Sequence, residues 1–117
     1  MKRGEVWLVS LDPTVGHEAN KNRPAVIVSS NASNEAVMTL ERGIVSVVPL
    51  TTNTRRVLPF QVLITPDEVN GLSQKSKAQA EQIRSLDSSR LVRLVGQLRR
   101  EDLAAVGEAI RLHLELD

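Results

Sequence analysis

The sequence predicts a small, mainly β fold: five to seven short antiparallel strands arranged as a barrel or sandwich, with one helix at the C-terminus. Three observations carry that expectation. Apolar runs rich in Val and Ile recur at strand length, at Val6–Val9, Ala25–Val28, Ile44–Leu50 and Phe60–Ile64. Between them stand turn-forming clusters such as Asp12-Pro13, Thr65-Pro66-Asp67 and Asn70-Gly71. Only residues 101–114 carry a clear 3.6-residue apolar period. At 117 residues the chain has room for one domain, 1–117, and a modest core.

Residues 4–9, Gly-Glu-Val-Trp-Leu-Val, read as the first strand, closed by Asp12-Pro13, with Trp7 expected in the core. A polar, glycine-containing loop over 14–20 follows. Pro24 then opens the second strand: it has no N–H to give a ladder and keeps Arg23 out of the helical region, so the guanidinium sits at the lip of the apolar run Ala25–Val28. Residues 31–41 are ambiguous, a turn at Asn31–Asn34 and then a short strand or a helical turn at Ala36–Met38. Gly43–Leu50 is strongly β, Pro49 implies an edge position or a bulge near its end, and Thr51 sets a hydroxyl at its terminus.

After Arg55-Arg56, Phe60–Ile64 is a further strand. Residues 78–84 read as a strand whose alternation puts Ala78, Ala80, Gln82 and Arg84 on one face. Asp87-Ser88-Ser89 caps a single turn, and Arg93–Leu98 is the last strand. The helix over Glu101–Leu114 carries Leu103, Val106, Ile110 and Leu114 on its apolar stripe, with Glu101 and Asp102 in the first turn where the dipole favours acid.

Composition narrows the chemistry. With no cysteine and only two, isolated, histidines, disulfides, thiol catalysis and Cys-based zinc sites are out, and the expectation is of no metal and no cofactor. No apolar run approaches the roughly 20 residues of a membrane span, so the expected location is the cytoplasm. The net charge is +1, yet residues 71–100 hold seven basic side chains against two acidic ones, and residues 101–117 hold one against five. Such a dipolar chain can offer a basic face to phosphates. Trp7 and Phe60 are the only aromatics, too few for an extended base-stacking platform.

Three strand-end positions carry groups suited to a phosphodiester: Arg23, Thr51, and Gln82 with Arg84. A guanidinium and a neutral hydroxyl meeting at a sheet rim stabilise the charge that builds on a phosphorane. RNA is the better substrate, because its 2′-hydroxyl brings the nucleophile with it. Arginine stays protonated and makes a poor base, so His17 and Glu18, on the loop facing Arg23, are weighed as proton carriers; Glu18 is equally suited to pairing with Lys21 or Arg23.

The blocks Lys-Arg-Gly-Glu-Val-Trp at 2–7, Leu11-Asp12-Pro13 with Gly16-His17-Glu18, Asn22–Val28, Val48–Asn53, Pro59–Val62 and Ala80–Ser85 resemble, in order and spacing, the MazF (PemK-like) toxins of bacterial type II toxin–antitoxin systems. The resemblance implies an SH3-like barrel with a C-terminal helix, PemK/CcdB-like in fold, and a homodimer. It implies metal-independent, sequence-specific cleavage of single-stranded mRNA, leaving a 2′,3′-cyclic phosphate and a 5′-hydroxyl. It maps the catalytic arginine onto Arg23 and the catalytic threonine onto Thr51, with Glu18, Gln82 and Arg84, and more loosely Lys21 and His17, as RNA contacts. It also implies a cognate, MazE-like antitoxin whose acidic tail covers the RNA groove. Two other readings share the barrel: a CcdB-like inhibitor of DNA gyrase, and a catalytically silent RNA-binding module.

Overall fold

The computed structural model describes residues 1–11 and 22–117. The expected Asp12-Pro13 turn, the 14–20 loop, and His17, Glu18 and Lys21 lie outside the described residues. Among the described residues seven strands and two α-helices follow in chain order: β1 (Glu5–Ser10), β2 (Asn22–Ile27), α1 (Asn31–Leu40), β3 (Ile44–Thr51), β4 (Gln61–Ile64), β5 (Ser76–Gln79), β6 (Arg84–Asp87), β7 (Leu91–Gln97) and α2 (Arg100–Leu114). All pairings are antiparallel, and the strands run β4-β5-β3-β2-β1-β7, with β6 also on β3. The mainly β expectation with a terminal helix is met.

The sheet buries both faces. Val6, Val26, Val48, Leu50, Ile64 and Ala78 pack with Leu98 and Val106, the latter on α2. On the opposite face Val9, Ala25, Ile27, Val45, Val47 and Leu86 pack with Val37 of α1. That is why β2 and the second half of β3 read as continuous apolar runs instead of alternating ones. Trp7 is half-buried against the α1-side cluster, its Nε1 donating to Glu5 Oε1 at 3.0 Å. The two ends of the strand path meet through the turn after β4, where Gln97 N–H donates to the Val69 carbonyl at 2.9 Å.

Four local expectations are corrected. Residues 31–40 are a full helix, started by Ser30, whose hydroxyl accepts from Ser33 N–H at 3.1 Å; the side-chain cap converts the turn signal into a helix start. Residues 78–84 are not one strand. A 3-10 turn at Ala80–Gln82, closed by Ile83 N–H to the Ala80 carbonyl at 3.1 Å, separates β5 from β6 and breaks the expected alternation. Pro49 is not on an edge: it faces Ala25 of β2, while on the other side β3 passes from β6 (through Val47) to β5 (from Leu50), and the proline occupies that break in the ladder. In α2 the apolar stripe ends at Ile110, because Leu114 is exposed. The Asp87 cap stands as expected, accepting from Ser89 N–H at 2.9 Å.

Candidate active site

β3 pairs with β2 through Pro49 on one edge, and on the other changes partner from β6, through Val47, to β5, from Leu50; this change of partners is the crease. The β2–β3 pairing ends with Ala25 opposite Pro49; its register, extended two residues past that pair, would bring Arg23 level with Thr51. Alternation puts both on the face of Ala25, Ile27, Val45 and Val47. Arg23 is exposed and also faces Val9 of β1. Two groups 28 positions apart in sequence therefore lie toward the same end of one sheet face.

Thr51 is held for donation. Its Oγ1 accepts from Asn53 N–H at 3.2 Å, and Asn53 Oδ1 in turn accepts from Arg55 N–H at 3.4 Å. A threonine oxygen that takes an N–H on one lone pair keeps its own proton for an incoming oxygen. Arg55 and Arg56 follow on the same turn, both exposed.

Gln82 and Arg84 lie on the β6 side of the crease. The 3-10 turn is anchored by Glu81, whose Oε2 accepts from Gln61 Nε2 at 2.6 Å, and this leaves Gln82 exposed. Arg84 faces Val47 in the β3–β6 register, on the same side of β3 as Thr51 and four residues along it. At about 3.3 Å per residue that is about 13 Å, a span of about two nucleotides of extended single strand. Arg23, from the β2 edge of β3, and Arg84, from its β6 edge, thus share the face of Thr51 by alternation, while Gln82 is exposed in the turn between β5 and β6.

The basic stretch 71–100 does not form one face. Arg99 Nε pairs with Asp67 Oδ2 at 2.9 Å, Arg90 reaches the Ser10 carbonyl at 3.1 Å, and Arg93 faces Leu8 on the far side of β1. From this stretch Lys77 and Arg84 border β3. Lys77 carried no role in the sequence reading, since nothing in residue order says that it stands opposite Thr51. A cavity of about 740 Å³ between α2 and the sheet is lined by residues including Arg3, Ser29, Ser46 and Ile110 and contains neither Arg23 nor Thr51.

Residues 2–114 match the sequence profile of the PemK-like, MazF-like toxin of type II toxin–antitoxin systems. The chain is 49% identical over 116 residues to endoribonuclease MazF9 of Mycobacterium tuberculosis, covering 99% of this chain and 98% of that one. It is 30% identical over 116 residues to endoribonuclease EndoA of Bacillus subtilis, covering 99% and 96%. Among solved structures, an endoribonuclease in complex with its cognate antitoxin from a mycobacterial species superposes with a TM-score of 0.78 at 26% identity, covering 100% of this chain and 97% of that chain.

Proposed function

The chain belongs to the PemK-like, MazF-like toxin family of type II toxin–antitoxin systems, and from that premise we propose that it is an endoribonuclease toxin cutting single-stranded mRNA at the β2–β3 crease. What supports the site assignment is the β2–β3 register, which, extended two residues past Ala25 and Pro49, brings Arg23 level with Thr51. Arg23 supplies a fixed, permanently charged fork for the non-bridging oxygens of the scissile phosphate. Thr51, its oxygen occupied by Asn53 N–H, donates its proton to the same group. Both contacts strengthen as the phosphorus becomes five-coordinate and its charge rises, which is what makes them catalytic instead of merely binding.

The substrate's 2′-oxygen attacks the adjacent phosphorus, the bond to the 5′-oxygen breaks, and the products are a 2′,3′-cyclic phosphate and a 5′-hydroxyl. The 2′-hydroxyl proton needs an acceptor, and arginine is none. His17 and Glu18, in the segment 12–21, are the candidates. Gln82 and Arg84 fit a role in holding the neighbouring nucleotides, Arg84 through a phosphate. The exposed cations Arg23, Arg55, Arg56 and Arg84 suit an acidic antitoxin tail lying over the same rim. Exposed Met38, Leu40 and Ile44, at the end of α1 and the start of β3, offer apolar surface to a second copy in a homodimer. No described helix is long and apolar enough to cross a membrane; the reading places the enzyme in the cytoplasm, with its substrate.

The test is incubation of the purified chain with a long transcript in EDTA, with sequencing of the 5′-hydroxyl ends. Discrete cuts are expected, slowed roughly 10²–10³-fold in Arg23→Ala. An intact transcript, or cutting at the wild-type rate by that variant, refutes the assignment. The relatives' names weigh against gyrase inhibition, and a supercoiling assay on the same sample is expected to show none.

A further inference from the structure

Lys77 lies on β5 directly opposite Thr51, and Arg23, two residues beyond the last β2–β3 pair, is level with Thr51 in the extended register, so the three share one face of three neighbouring strands. Its side chain is buried, at 9% exposure. Its Nζ donates to the backbone carbonyl of Arg56 at 2.5 Å, and it makes no ion pair among the described residues. Taking an ammonium out of water against a neutral carbonyl is costly, and a methionine would fill the same strand position without that cost. The fold therefore gains nothing from a charge here, whereas the crease does. The Arg56 carbonyl that Lys77 grips ends the turn in which Asn53 N–H fixes the Thr51 hydroxyl, and the ammonium adds uncancelled positive charge one strand away from it, at about 4.8 Å spacing.

We infer that Lys77 is a positioning residue for the cleavage proposed above: it pins the Thr51–Arg56 turn from beneath so that the Thr51 proton and the local positive field meet the scissile phosphate as its charge grows. The inference rests on the endoribonuclease reading. Because it acts on the transition state and not on the bound RNA, its loss shows in kcat with KM nearly unchanged.

Wild type, Arg23→Ala, Lys77→Met and Lys77→Arg are to be compared on one transcript for kcat, KM and thermal midpoint. In Lys77→Met, kcat is expected to fall about 10- to 100-fold with KM within about twofold and a midpoint equal to or above wild type. In Lys77→Arg, which keeps the charge and a donor, kcat is expected to return to within a few-fold of wild type. The inference is overturned by a wild-type kcat in Lys77→Met, by a loss lying entirely in KM, or by an unfolded Lys77→Met chain, which would make Lys77 a residue of the fold alone. If wild type leaves the RNA intact, or Arg23→Ala cuts as fast as wild type, the endoribonuclease site itself falls and this inference with it; normal behaviour of those two beside an unaffected Lys77→Met removes only the lysine.

Discussion

Two turns of similar length and polarity follow β3 and β4, and they are built in opposite ways. The turn over 65–72 satisfies itself. Asn70, fully buried, accepts from Asp67 N–H at 3.2 Å and Leu72 N–H at 3.0 Å and donates to the Thr65 carbonyl at 3.0 Å. Asp67 Oδ1 accepts from Val69 and Asn70 N–H at 2.8 and 2.7 Å, and its other oxygen takes Arg99. Gly71, at φ +69°, lies so close to β7 that a Cβ there would stand 2.2 Å from the Val95 carbonyl oxygen. The turn over 51–58 instead leaves Arg55 and Arg56 exposed, and the Thr51 hydroxyl, which accepts from Asn53 N–H, keeps its own proton. Dense polar residues mark structure where each donor has an acceptor inside the chain; they mark a site where charge is left facing out.

If that contrast is right, the two regions respond to mutation in opposite currencies. The largest effect is on activity at the rim: Arg23→Ala loses roughly 10²–10³ in rate, while its denaturation midpoint stays within about 0.5 kcal/mol of wild type, as for other exposed positions. A large stability loss there would break the comparison. Gly71→Ala is the mirror case, expected to cost about 2–4 kcal/mol through an adverse φ and a backbone clash, read from urea denaturation, with kcat of the folded fraction unchanged. Asn70→Ala leaves two partly buried N–H groups and a carbonyl without their partner, for about 1–2 kcal/mol.

The smallest effect is a pH dependence. The Asn70 N–H, with help from Val69 N–H and Arg99 against opposing burial, holds the Asp67 carboxyl below its ordinary 3.8. Its contribution to stability is therefore complete above about pH 3.8 and is lost as pH falls through the lower, folded value. Asp102 works the other way, since burial and the nearby Asp67 charge raise its carboxyl, so its protonation favours the fold as pH drops. Asp67→Asn is expected to flatten the fall in thermal midpoint between about pH 4 and pH 2; an unchanged profile would show that the turn is held without that charge.

The strands and the terminal helix were legible because Val, Ile and Pro fix local geometry wherever they stand. Arg23 at a lip and Thr51 at a strand end were legible for the same reason. What residue order does not encode is register. That Lys77 stands opposite Thr51, and that β5 and β6 share β3 across a 3-10 turn, depends on contacts made after collapse. Residues 31–40 stayed ambiguous because Asn31–Asn34 look like turn residues, although Asn34 is buried and bonded back to Ser29. The basic stretch looked like one face because charge was summed along the chain, while β7 and β6 carry it to different sides.

The outer partner of β1 is β7, with Glu5 facing Gln97, so β1 keeps one edge open until the last of the described strands has been made. At about 5–20 residues per second of synthesis, it waits several seconds with an open edge on the ribosome. A cell making this chain has that interval in which a chaperone can engage the nascent strand before the barrel is complete.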